Sequence, residues 1–304
     1  MNNDLQYNKA GQGKRDSRYA WKRFFLIIIG LIAALLALLA ISILYLRWVN
    51  PPATAFTLRE DWEQLEMERY DLRDYWIPQE ELPEHLKWAV VASEDQRFWE
   101  HWGLDMLAID EALEERRRGE RQRGASTITQ QVAKNLYLSP AESWIRKGVE
   151  AGIAVLIELL WPKERILEVY LNIAEFGPGL FGVGKATAEI FGVAPNQLEP
   201  DASARLAAVL PSPKRMRVDP PSPYAEERSQ WILRQMTHLS GIPYLPEIDL
   251  DTLDTIEDAD PLPWDFDPDT IRLDPVEPPQ AGEDTILWDD IPDSLLFLEN
   301  GMEQ

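Results

Sequence analysis

Ser93-Glu94-Asp95-Gln96-Arg97-Phe98-Trp99-Glu100-His101-Trp102-Gly103 crowds carboxylates, a guanidinium and an imidazole among three aromatic rings. A stable core has little use for that mixture, so the stretch reads as part of a site. Just upstream, Leu82-Pro83-Glu84 looks like a helix start, with proline where its missing donor is harmless. Leu86, Ala89, Val90 and Ser93 follow at spacings of three and four, the period of one helical face. Glu94 therefore stands at the C-terminal end of a helix, beside nonpolar side chains. A carboxylate in such a half-buried setting is suited to proton transfer. The plainer reading is a helix-ending Glu paired with Arg97. Asp95, about 100° further round the helix, is expected to cap, pair or position a loop rather than share the same proton.

A second unusual run is Gly124-Ala125-Ser126-Thr127-Ile128-Thr129-Gln130-Gln131. Ser126 reads as an N-cap. Thr127, Gln130 and Gln131, followed by Lys134 and Asn135, offer sugar-binding donors and acceptors plus a cation, although an uncharged surface helix would look the same. Arg146, Lys147 and Glu150 fall within about one turn of helix. An intrahelical pair between Arg146 and Glu150 explains much of this spacing. A phosphate-bearing substrate would give Arg146, Lys147 and Lys134 a binding role, with Glu150 orienting the cations or holding a divalent ion. Glu168 and Asn172 share a face of Lys163-Glu164-Arg165-Ile166-Leu167-Glu168-Val169-Tyr170-Leu171-Asn172, where structural support outweighs direct chemistry. Arg205 either buttresses the site or makes an ordinary surface pair.

Further helices are expected over 106–118, 126–135, 141–161, 163–172, 184–191, 201–210 and 225–239. In the first, Leu107 and Ile109, together with Leu104 just before it, are expected to face inward. Gly119 and Gly124 break the pattern, and a glycine-rich turn runs from Phe176 to Gly182. No segment alternates long enough to demand a sheet, so the fold class is mainly α.

Phe24 to Leu46 holds 23 residues without a charge, about 34 Å of helix, enough to cross the hydrocarbon of a bilayer. Lys9, Lys14, Arg15, Arg18, Lys22 and Arg23 precede it against only Asp4 and Asp16, a bias that keeps the N-terminus cytoplasmic. A cleaved signal sequence shares the positive start, but its apolar part is normally shorter and a small-x-small cleavage site normally follows. Ile153 to Ile157 reads as core helix, with contact to the membrane as the alternative. The net charge of −22 over 304 residues is concentrated in residues 241–304, which hold nineteen Asp or Glu against Arg272. Those 64 residues, with nine prolines, read as an extended or disordered appendage. The expected organisation is a cytoplasmic basic segment (1–23), a transmembrane helix (24–46), a juxtamembrane linker (47–79), a catalytic body (80–240) and the acidic tail (241–304). The chain has no cysteine, which removes disulfides and thiolate metal sites. His85, His101 and His238 show no metal-ligand spacing.

Taken in order, the stretches Glu94–Gly103, Gly124–Gln131, Arg146-Lys147-Gly148-Val149-Glu150, Lys163–Asn172 and Arg205–Pro211 resemble the peptidoglycan glycosyltransferase family of the penicillin-binding proteins. The likeness is to the monofunctional biosynthetic transglycosylases and covers about residues 80 to 215. It implies a lysozyme-like helical domain on the extracytoplasmic face of the bacterial inner membrane, behind one N-terminal transmembrane helix. It also implies polymerisation of lipid II into β-1,4-linked glycan strands, with inversion and release of undecaprenyl pyrophosphate. In that family the glutamate matching Glu94 is the base on the acceptor hydroxyl, and Glu150 matches a second carboxylate of the donor side. Ser126, Thr127, Gln130, Gln131, Lys134, Asn135, Arg146, Lys147, Glu168, Asn172 and Arg205 are carried over as substrate-binding. No cofactor is required on this reading, with a divalent cation (Mg or Mn) on the donor pyrophosphate left open. The implied partners are lipid II, the growing lipid-linked strand, the membrane and other cell-wall synthesis proteins, with no nucleic acid.

Ala125 stands where the family often has Gly, and the acidic tail has no place in the family pattern. No Ser-x-x-Lys followed by Lys-Thr-Gly is present, so peptide cross-linking is assigned to another protein. Two carboxylates also suit a glycoside hydrolase, but that chemistry needs one of them to protonate a sugar leaving group, whereas the basic cluster favours an activated phosphate donor. A noncatalytic membrane scaffold is the alternative from another class, and it should tolerate replacement of Glu94 or Gln130.

Overall fold

The computed structural model describes residues 3–58, 71–118, 125–138 and 143–244. Its helices are α1 (Asn3–Leu46), α2 (Glu84–Glu94), α3 (Met106–Arg118), α4 (Ile128–Tyr137), α5 (Trp144–Leu160), α6 (Lys163–Ile173), α7 (Val183–Phe191), α8 (Pro200–Val209) and α9 (Pro223–Ser240). Short 3-10 turns cover Leu72–Tyr75, Gln79–Glu81 and Pro195–Gln197. The expected breaks at Gly119 and Gly124, the start at Ala141 and the tail from 245 onward lie outside the described residues.

The mainly α expectation holds. The glycine-rich turn contains one small antiparallel hairpin, β1 (Glu175–Gly177) with β2 (Leu180–Phe181). One expected start moves because the capping side chain differs. Thr127, not Ser126, caps α4, in a reciprocal box where its hydroxyl accepts from the Gln130 N–H and Gln130 Oε1 accepts from the Thr127 N–H. Ser143 caps α5 by accepting from the Arg146 N–H. The inward orientation expected of Leu107 is overturned: it is 61% exposed, and Met106 beside it is 60% exposed. Leu107 and Ile109 stand two positions apart, about 200° round a helix, so both cannot face the body.

Two packed groups make the body. α2, α8 and α9 pack on one another, and α4 packs against both α5 and α6, with α7 on α6 and the hairpin against α7 and α8. One apolar cluster runs through both, including Leu86, Phe98, Ile128, Ile157, Ile166 and Tyr170. Each such fully buried aliphatic contributes about 1.5–3 kcal/mol. Residues 71–82, which the sequence reading assigns mostly to the linker, join this core through Leu72, Ile77 and Leu82. Gly184 makes that docking possible, since a Cβ there would lie 2.2 Å from the Tyr75 carbonyl oxygen.

α1 continues through the apolar span Trp21–Leu46, long and apolar enough to cross a membrane. Its C-terminal end is fastened to the body. The Trp161 indole donates to the Ile43 carbonyl at 2.7 Å, and Arg165 donates to the carbonyls of Leu46 and Val49 at 3.0 and 3.2 Å. These bonds serve carbonyls at the helix end, where cationic donors are favoured.

Candidate active site

Glu94 is the last residue of α2 and Asp95 is its C-cap. The two neighbouring carboxylates have different partners. Both Asp95 oxygens face His101 Nε2, at 2.9 and 3.0 Å, and Oδ2 also accepts from the Ile128 N–H at 3.0 Å. Asp95 thus ties the end of α2 to the first turn of α4, where the helix dipole favours a negative charge. Gly103 closes the same loop: its φ is +81° and a Cβ would meet the Ala154 backbone at 3.1 Å. Its carbonyl accepts from the Thr127 hydroxyl at 2.6 Å.

Arg97 does not pair with Glu94. It turns to Asp105 at 2.8 Å and Glu111 at 3.6 Å. Burial pushes the Asp105 carboxyl up, but the Arg97 guanidinium and the Ala108 N–H outweigh it and hold it below the usual range. Glu94 is left to face α4. Its Oε2 accepts from Gln131 Nε2 at 2.8 Å, and Ser93 Oγ lies 3.2 Å from its Oε1. The Gln131 amide is oriented in turn by Tyr170, whose hydroxyl donates to Oε1 at 3.1 Å and so leaves the amide N–H₂ for Glu94. Burial, together with the charges of Glu94 and Asp95, pushes the Tyr170 hydroxyl well above the usual tyrosine range, so it stays a donor.

Gln131 also lines a cavity of about 600 Å³ with Ser126, Lys134, Ser143, Trp144, Arg146, Lys147 and Glu150. Glu150, on α5, is buried and receives Arg146 at 2.9 Å on one oxygen and Lys147 on the other. Lys147 also donates to Ser126 Oγ at 2.7 Å. Lys134 lies 5.6 Å from the centre of the Phe56 ring. Burial drives its ammonium below the usual lysine range, with Arg146 and Lys147 acting in the same direction and Glu150 and Glu94 opposing. A carboxylate and three cationic side chains therefore share one space, with one amide linking it to Glu94.

As a metal ligand Glu150 does not fit. Both its oxygens already serve cations, and among the described residues no group of three or more His, Asp or Glu could hold an ion.

Of the residues singled out from the sequence, Ser126, Gln131, Lys134, Arg146, Lys147 and Glu150 come together in the cavity, with Glu94 reached through Gln131. Thr127 and Gln130 are buried in the cap of α4. Asn135 is on the same helix but does not line the cavity. Glu168 and Asn172 support residues 72–82 instead. Glu168 accepts from the Trp76 indole at 2.9 Å and pairs with Arg165, while Asn172 exchanges two 2.8 Å hydrogen bonds with the Ile77 backbone. Arg205 pairs with Asp201 and, at 3.2 Å, with Asp219. Tyr170, Phe56, Ser143 and Trp144 are additions. Tyr170 reads as packing in its helix; Phe56 is the hardest to foresee, being an isolated aromatic brought in by the fold.

A profile of the Transglycosylase family matches residues 62–237, more than half of the chain. The chain belongs to that family. Relatives named biosynthetic peptidoglycan transglycosylase include one from Ectopseudomonas mendocina, 49% identical over 210 residues, which covers 69% of this chain and 87% of that protein. Another, from Pseudomonas entomophila, is 50% identical over 210 residues, 68% of this chain and 88% of the relative. A third, from Pseudomonas aeruginosa, is 45% identical over 229 residues, 75% of this chain and 97% of its own length. The family match spans both packed groups of helices, and so includes Glu94 and the cation-lined cavity.

Proposed function

We propose that this chain is a peptidoglycan glycosyltransferase that polymerises lipid II, with Glu94 as the base. The observation that carries the reading is the Glu94–Gln131 hydrogen bond, which links a carboxylate to a cavity lined by Lys134, Arg146 and Lys147. The acceptor GlcNAc 4-hydroxyl gives its proton to Glu94 as its oxygen bonds to the anomeric carbon of donor MurNAc. The bond from that carbon to the pyrophosphate breaks on the opposite face, giving inversion. Negative charge grows on the departing undecaprenyl pyrophosphate, where fixed cations in a partly dehydrated cavity stabilise it most.

Glu150 organises the cations in this scheme. Three positive groups in one cavity repel one another, and a buried carboxylate shared by two of them holds both in place. Each Glu150 oxygen already accepts from a cation, so neither is presented as an O–H donor to a sugar oxygen. That favours transfer from a phosphate donor over glycoside hydrolysis, which would call on such a donor.

The basic segment before the apolar span of α1 supports placing the body at the outer face of the inner membrane. Apolar side chains exposed along α5, namely Trp144, Ile145, Val149 and Leu159, suit a body resting on lipid beside its lipid-linked substrate. The reading is tested by incubating the full-length chain in detergent with lipid II. One undecaprenyl pyrophosphate should be released per sugar linkage, and the polymer should be digested by a muramidase. Failure to convert lipid II while the chain is folded would end the proposal.

A further inference from the structure

Glu94 is held from two sides, and the second side lies beyond all the stretches that carried the family resemblance. Arg228, on α9, is 4% exposed. Its terminal nitrogen Nη2 donates to Ser93 Oγ at 2.9 Å and to the Ser93 carbonyl at 3.3 Å, and stands 3.8 Å from Glu94 Oε1. Ser93 Oγ lies in turn 3.2 Å from the same Glu94 oxygen and 3.1 Å from the Ala207 carbonyl of α8. One guanidinium thus completes the C-terminal end of α2 and faces one oxygen of its last side chain. The other oxygen is held by Gln131 from α4.

Helix capping alone does not account for this geometry. A water or a neutral donor could satisfy the Ser93 carbonyl, whereas burying a guanidinium is costly unless opposite charge meets it. Glu94 supplies a carboxylate within ion-pair distance. We propose that Arg228 is a positioning residue for the transfer reaction, fixing the orientation of the Glu94 carboxylate from α9 while Gln131 fixes it from α4. This rests on Glu94 being the base.

A guanidinium is a planar, charged donor, so it suits holding a carboxylate in one orientation. Other charged or titratable groups around Glu94 include Asp95, the C-cap of α2, Lys134 on α4 and Tyr170 on α6. Arg228 is the cation whose nitrogen lies within ion-pair distance of the carboxylate among the described residues.

The test compares full-length wild type, Arg228→Met, Arg228→Lys and Glu94→Gln in lipid II polymerisation, with melting temperature measured alongside. Arg228→Met should lower kcat about tenfold or more and change KM for lipid II by less than about twofold. Arg228→Lys, which keeps a cation on α9, should return kcat toward that of wild type. If Arg228→Met does not fold, Ser93→Ala supplies the answer: it keeps the cation, removes the hydroxyl between Arg228 and Oε1, and should lower kcat about threefold or more at constant KM. An unchanged kcat in the folded variant, or a lower melting temperature with a lower kcat that Arg228→Lys does not restore, would make Arg228 a purely structural residue. Glu94→Gln separates the two claims. If it is as active as wild type, the reading of the base fails; if it is inactive while Arg228→Met is fully active, only the role of Arg228 fails.

Discussion

At the residue scale the site is an arrangement of donors around carboxylates, and each donor's orientation has a cause. Tyr170 decides which end of the Gln131 amide meets Glu94, because its hydroxyl takes the oxygen end. A hydrogen bond to a charged group contributes about 1.5–3 kcal/mol, so Gln131→Leu should lower kcat about 10- to 100-fold while the protein remains folded. Steady-state polymerisation with circular dichroism as the folding control checks this. Lys134 carries a pH prediction. Its ammonium lies below the usual lysine range chiefly because it is buried, and the charged form is the one that stabilises a departing phosphate. The working cation is therefore lost as pH rises through that lowered value, and kcat/KM should fall on the alkaline side before an ordinary lysine would titrate. Lys134→Arg, whose guanidinium stays charged, should move that limb to higher pH. Glu94, Lys134, Arg146 and Glu150 were legible in the sequence because titratable groups among apolar ones stand out. The plainer pairing of Glu94 with Arg97 was equally readable, and only the three-dimensional position of Asp105 removes it.

At the element scale, helix existence was legible from periodicity, whereas the start of α4 was not, because two capping residues stand side by side. Ser126 and Thr127 are both competent caps, and the reciprocal box with Gln130 selects the second. The same choice leaves Ser126 free to receive Lys147 in the cavity. α6 shows how site and support are confused in a linear reading. Glu168 and Asn172 share a face, as the spacing predicts, but that face holds Trp76 and Ile77. Asn172→Leu would leave the buried N–H and C=O of Ile77 without this partner, at a cost of about 2–4 kcal/mol. The melting temperature should fall by about 5–15 °C. Polymerisation per folded molecule should stay within about twofold of wild type, since on this account Asn172 supports the body rather than binding substrate. A large loss of activity at an unchanged melting temperature would return Asn172 to the substrate site.

At the scale of the whole molecule, the base comes from one packed group of helices and the cations from the other. Glu94 ends α2, which packs with α8 and α9, while Lys134, Arg146, Lys147 and Glu150 belong to the group of α4, α5 and α6. The Asp95 carboxylate spans that junction by accepting from His101 and from the first N–H of α4. No sequence pattern announces such a junction, because its two halves are separate in the chain and meet only through packing. The apolar span of α1 was plain from its uncharged length, whereas its docking through Trp161 and Arg165 was not, since single donors to main-chain carbonyls leave no periodic trace. The central claim is that the carboxylate of one group removes a proton while the cations of the other receive the leaving phosphate. Single-turnover polymerisation of lipid II by the full-length chain, wild type against Glu94→Gln, tests it most directly. The account expects the bond-forming rate to fall about 10²- to 10⁴-fold with lipid II binding unchanged; equal rates in the two proteins would refute it.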